Sequence, residues 1–95
     1  MQISYTGAAF ASLSDVVNYV ESMNTLGAGV RWLNKFEEFL NASLTIPSVI
    51  KLCNNRTFYE LELRCINFND WVIAFSLDND KVLIEAILHS SRLTD

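Results

Sequence analysis

Proline and histidine each occur once and glycine three times in this chain of 95 residues, and lysine and arginine never form a run. So little proline and glycine excludes a flexible linker or low-complexity tail, and a 51 % apolar composition excludes disorder. Against 7 Lys and Arg stand 11 Asp and Glu, for a formal net charge of −4. That balance disfavours broad, nonspecific binding to nucleic acid, whose affinity comes from cations neutralising phosphates. No apolar stretch reaches the ~18–20 residues that would span a bilayer, so no membrane association is expected. The first residues lack a basic segment followed by an apolar one, which gives no reason to expect a signal peptide. Cysteine occurs twice, at Cys53 and Cys65, with no further Cys or His at metal-ligand spacing. Reduced thiols, rather than a disulfide or metal site, are the expectation, with no cofactor and a cytoplasmic location.

What is present is periodic. Residues 2–5 alternate, with Ile3 and Tyr5 on one side, and read as a short strand. Thr6 can then cap a helix by accepting from its first free amides. Phe10, Leu13, Val17 and Val20, reinforced by Val16 and Met23, predict a helix over 8–23. Asn24-Thr25 breaks it, and either residue can cap the next. Val30, Leu33, Phe36, Leu40 and Leu44 form a second apolar stripe, widened by Trp32 and Phe39, which Ile46-Pro47 terminates. Gly27 and Gly29 weaken its first turn by roughly 1 kcal/mol each relative to alanine. The two stripes predict a helical hairpin.

The remainder reads as β. Residues 58–66 alternate Tyr59, Leu61, Leu63 and Cys65 against Phe58, Glu60, Glu62 and Arg64. Strands over 71–77 and 82–89 follow, joined by the two-residue turn Asn79-Asp80, and a short extra strand fits 49–52. That turn faces Leu77 with Val82, Phe75 with Ile84, Ile73 with Ala86, Trp71 with Leu88 and Asp70 with His89. A three-residue turn, Asn67-Phe68-Asn69, keeps the preceding strand in phase, since a one-residue slip would invert every side chain. The expected fold class is α+β: a single domain over 1–95 with an N-terminal strand, a two-helix hairpin packed on one sheet face, and an antiparallel meander. The other face is expected to be open, carrying Glu60, Glu62, Arg64, Glu85 and His89. The Arg64 and His89 backbones would then lie on the order of 10 Å apart, within reach of a common ligand.

Three segments in this order carry a resemblance: Tyr59-Glu-Leu-Glu-Leu-Arg64, Trp71-Val-Ile-Ala-Phe75, and the hairpin strand ending in His89-x-x-Arg92. Together they resemble the RelE/ParE superfamily of small bacterial toxins over essentially the whole chain. The resemblance implies a toxin encoded with an antitoxin that masks its working surface. RelE-like members are ribosome-dependent messenger RNA endoribonucleases, and ParE-like members bind DNA gyrase. In a nuclease, Arg64 would stabilise charge on the scissile phosphate. His89 would act as general acid, with Glu85 or Glu62 as base.

Three carboxylates, Glu60, Glu62 and Glu85, would repel a phosphate backbone on that face, which favours the ParE-like (plasmid-stabilisation) branch. The implied function is the toxin component of a type II toxin–antitoxin module that binds gyrase and is neutralised by a cognate antitoxin. Arg64, His89, Arg92 and Trp32 are the candidate binding residues, with Trp32 and Phe39 serving as core or as an antitoxin-binding patch. The alternatives are the RelE-like endoribonuclease and a family member that keeps the fold without toxicity. Assembly as a homodimer or as a hetero-oligomer with the antitoxin is also implied. The structural alternative for Arg64 is a surface pair with a neighbouring glutamate, worth ~0–1 kcal/mol, and for His89 a hydrogen-bonding role at a strand end.

Overall fold

The computed structural model describes residues 2–93. Strand β1 (Gln2–Tyr5) leads directly into helix α1 (Gly7–Met23), and the Thr6 hydroxyl caps it by accepting the Ala9 amide at 3.1 Å. Ala9, Leu13 and Val16 face inward. Helix α2 (Ala28–Ser43) is capped neither by Asn24 nor by Thr25, but starts from Gly27 at φ 86°. Gly27 has no side chain to satisfy the free amides of the first turn. Glu21, one turn from the end of α1, does so instead: its two carboxylate oxygens accept from the Gly27 and Gly29 amides, each at 2.9 Å.

Gly29 is where the two helices meet. A Cβ there would sit 2.7 Å from the Val17 carbonyl oxygen, so the glycine that weakens α2 in isolation is what lets the hairpin close. The two backbone amides, Gly29 first, hold the Glu21 carboxyl below the usual carboxylate range. A depressed carboxyl pKa contributes stability in full above the ordinary range and loses it as the pH falls through the lowered value. Glu21→Gln is therefore expected to be less stable than the parent at neutral pH, with the difference shrinking below about pH 4.5. Urea midpoints measured at pH 7 and pH 3.5 check this; an equal gap at both would show that the amides do not depend on the charge.

The remaining strands are β2 (Arg64–Phe68), β3 (Trp71–Asp78) and β4 (Lys81–His89), and the sheet order is β1-β4-β3-β2. The β2-β3-β4 meander is antiparallel, and β1 adds parallel to β4, making the sheet mixed. Helices α1 and α2 pack on one face. Phe36, Leu40 and Leu44 from α2 meet Ile73, Phe75, Val82 and Ile84 from the sheet, each essentially without exposure. None of the described helices is long and apolar enough to cross a membrane.

Several local expectations are corrected. The first half of the alternating segment 58–66 is helical: α3 spans Arg56–Glu60. Asn55 caps it by accepting the Phe58 amide at 3.1 Å, and Arg56 pairs with Glu60 one turn on. It ends with Glu62 at φ 59°, the Glu62 and Leu63 amides donating back to Tyr59 and Phe58. The turn between β2 and β3 has two residues, Asn69-Asp70, rather than three, so Ile66 faces Ile73 and Phe68 faces Trp71. Asn69 and Asn79 each adopt φ 55°, the positive angle that tight hairpin turns demand and asparagine tolerates.

The Asn79-Asp80 turn and the pairs Leu77–Val82 and Phe75–Ile84 are as expected. Beyond them a bulge intervenes: Phe75 faces Ile84 but Ala74 faces Ala86, leaving Glu85 unpaired. Ile73 therefore faces Ile87, and Trp71 faces His89. One extra residue turns Ile87 and His89 to the helix side and Ala86 to the other.

That other face is not open. Residues 51–53 run beside 63–65 through a single Leu52–Arg64 bridge; the short strand expected over 49–52 does not form, because Pro47 opens a 3-10 turn over Pro47–Val49 instead. Cys53, Leu63 and Ala74 form a second small core there, with Phe58, Cys65 and Ala86 packed against it. Cys53 and Cys65 are joined as a disulfide, contrary to the expectation of free thiols, because the strand pairing brings their Cα atoms to 4.8 Å.

Candidate functional site

Three elements meet at the open end of the β3-β4 hairpin, away from its Asn79-Asp80 turn. Ser12, Asp15 and Tyr19 lie at helical spacing along α1, one row outside its buried stripe. Trp71 opens β3, and His89 closes β4 directly opposite. A 3-10 turn over Ser90–Arg92 continues the chain, anchored by the Ser90 amide donating to the Asp70 carbonyl at 2.8 Å. Between them runs a groove of ≈ 810 Å³, floored by Val16 and Ile87 and flanked by Tyr19, Asp70, Trp71, His89 and Arg92.

The geometry of His89 is fixed on two sides. Its ring meets Trp71 edge-on with centroids 5.3 Å apart. Its Nδ1 accepts the Ser91 amide at 3.2 Å and lies 2.8 Å from the Ser91 hydroxyl. With Nδ1 occupied as acceptor, the neutral ring carries its proton on Nε2 and has one donor to offer. A hydroxyl beside an imidazole nitrogen is half of a nucleophile–base pair. Here that same nitrogen also caps the turn, and no carboxylate among the described residues orients the ring. The groove thus offers two aromatic side chains, an imidazole donor and charges of both signs, a lining suited to holding an apolar anchor with polar flanks.

His89 and Arg92 therefore share the groove, and the other sequence-derived candidates lie elsewhere. Arg64 stands on β2, and its guanidinium donates to the Ser48 carbonyl at 3.3 Å and to that of Ile50. It ties the 3-10 turn Pro47–Val49 to the sheet and faces no glutamate. Arg64 pairs with Phe75, whereas His89 pairs with Trp71 at the far end of the same strand. Four residues of rise and two strand spacings put their backbones ~16 Å apart rather than 10. Glu85 sits at the bulge. Arg64, His89 and Glu85 do not converge on one point.

Trp32 stacks on Phe36 with centroids 5.2 Å apart and meets Phe68 edge-on at 5.6 Å; Phe39 also packs on Phe68. These residues tie α2 to β2 and lie outside the groove. Asp15, Tyr19 and Trp71 were not singled out from the sequence as site residues. The signal for the first two was a polar and aromatic row at i and i+4 beside the apolar stripe of the first helix. Trp71 reads as core in a strand pattern, and only the register at His89 reveals its place.

No family model matches the chain, and no curated protein matches it in sequence. In fold it is similar to a chain in a solved structure of the chromosomal ParDE TA system from P. aeruginosa. The TM-score is 0.71, over 94 % of this chain and 95 % of that one, at 10 % identity. At that identity the likeness is one of fold.

Proposed function

We propose that this chain is the toxin component of a type II toxin–antitoxin module, ParE-like, acting in the cytoplasm by binding DNA gyrase and held inactive by a cognate antitoxin. The observation that carries the reading is the end-to-end likeness of fold to a chain of a ParDE system. The placement of Arg64, ~16 Å from His89 and tied to backbone carbonyls, favours binding over phosphodiester chemistry. The acidic balance points the same way. The groove between α1 and the Trp71–His89 pair is the surface assigned to the antitoxin, because it combines concavity, aromatic walls and a polar rim.

The test is induction of the chain in bacteria without any antitoxin, following growth, plasmid supercoiling and messenger RNA integrity together. Arrest with impaired supercoiling and intact messages is the expected outcome. Arrest with messages cut during translation would replace gyrase with the ribosome as target. Undiminished growth in the presence of folded protein would reject toxicity altogether.

A further inference from the structure

We infer that Cys53–Cys65 is a thiol–disulfide exchange site whose redox state determines whether the loop between the two cysteines stays shut over the outer face of the sheet. The inference rests on how the molecule divides. The larger core, built on Phe36, Leu40, Ile73, Phe75 and Ile84, lies wholly between the helices and the inner face. The loop contributes nothing to it. What holds the loop down is the small outer cluster, in which Phe58 and Leu63 pack over Ala74 and Ala86 beside the disulfide, with the Cys53 amide donating to the Leu63 carbonyl at 2.8 Å at its base. Elsewhere the loop is exposed, with Tyr59 and Leu61 largely in solvent. A segment with so few buried contacts has little opening free energy of its own, so the covalent closure dominates its order.

Two contacts define the hinge. Arg64 grips the Ser48 and Ile50 carbonyls independently of the disulfide, and the Cys65 amide donates to the Lys51 carbonyl at 3.4 Å. These bonds keep the chain before Cys53 docked in either redox state, confining the opening to residues 54–63. The two cysteines are unequally exposed, Cys53 at 1 % and Cys65 half-buried. A dithiol reductant therefore attacks through its thiolate at the Cys65 sulfur. The disulfide bond breaks, a mixed disulfide forms at Cys65, and Cys53 departs as a thiolate that takes up a proton. The reductant's second thiol then attacks its own sulfur in the mixed disulfide and releases Cys65, which is also protonated. Two electrons and two protons pass to the protein, and the reductant leaves as a disulfide.

Amide hydrogen exchange read by mass spectrometry on the purified full chain, oxidised and after dithiothreitol, tests this. Amides of residues 54–63 are expected to exchange about tenfold faster or more after reduction, while those of β3 and β4 hold within about twofold. Reoxidation in a glutathione redox buffer should restore the slow loop. The Cys53→Ser/Cys65→Ser variant should show the fast loop throughout and no response to dithiothreitol. A loop unmoved by reduction would overturn the proposal. So would acceleration of every amide together, which would make the disulfide a requirement of the whole fold. If the double variant fails to fold, Cys65→Ser alone and the reduced parent carry the same comparison.

Discussion

Replacing Phe36 with alanine is expected to destabilise the protein by about 3–5 kcal/mol, the range for emptying a buried aromatic site. Phe36 is without exposure, stacks on Trp32 and meets Phe68 edge-on at 5.7 Å. Its loss removes the packing of α2 against the sheet and also the aromatic geometry, worth about 0.5–1.5 kcal/mol per pair. Domains of this size have roughly 5–15 kcal/mol in total, so the variant should sit at the edge of folding at 37 °C. Phe36→Leu, which keeps most of the volume, should lose far less. Urea denaturation followed by the combined fluorescence of Trp32 and Trp71 distinguishes the two. A loss below about 1 kcal/mol for the alanine variant would mean that Trp32 and Phe68 close over the gap.

Under the proposed function, Trp71→Ala is expected to weaken binding of the proposed antitoxin by about 30-fold or more, the penalty of at least ~2 kcal/mol that a central aromatic anchor carries at an interface. Trp71 is half-buried in the wall of the groove, opposite Tyr19 on α1 and edge-on to His89. Tyr19→Ala, at a residue 58 % exposed, tests the same groove with less demand on the fold. Trp32→Phe, in the aromatic cluster on α2, should leave affinity unchanged. The measurement is calorimetric titration of each folded variant with the antitoxin that the proposed function requires. Unchanged affinity for both Trp71→Ala and Tyr19→Ala would move the interface off the groove, whatever the induction experiment reports.

How much of this was legible depends on where the signals were local. Thr6, the apolar stripes of both helices and the Asn79-Asp80 turn announce themselves by residue type and spacing, and each element stands where they put it. Residues 58–61 misled because alternation is also compatible with a short helix. The competing signals were Asn55 as a cap and Arg56 with Glu60 at i,i+4. The bulge had no signal of its own. Glu85 is a charged residue in an apolar run, and the pattern reads equally well with it paired or skipped. That single ambiguity inverted the face assigned to His89, and with it the imagined meeting of His89 and Arg64. The α2 cap was illegible for another reason: its acceptor, Glu21, comes from the helix before. Cysteine pairing, likewise, depended on a strand bridge at Leu52 that no spacing rule encodes.

The parallel pairing of β1 with β4 puts residue 2 beside residue 81. The helical hairpin can assemble from one stretch of neighbours and the meander from another. The first strand must wait for the last one, as must the packing of α1 on β4, and these are the longest closures in the fold. On a translating ribosome, the Thr6 amide finds the Ile84 carbonyl only once the chain through β4 has emerged. Synthesis thus delivers the opening strand, and the helix it leads into, without their sheet partner until β4 has been made.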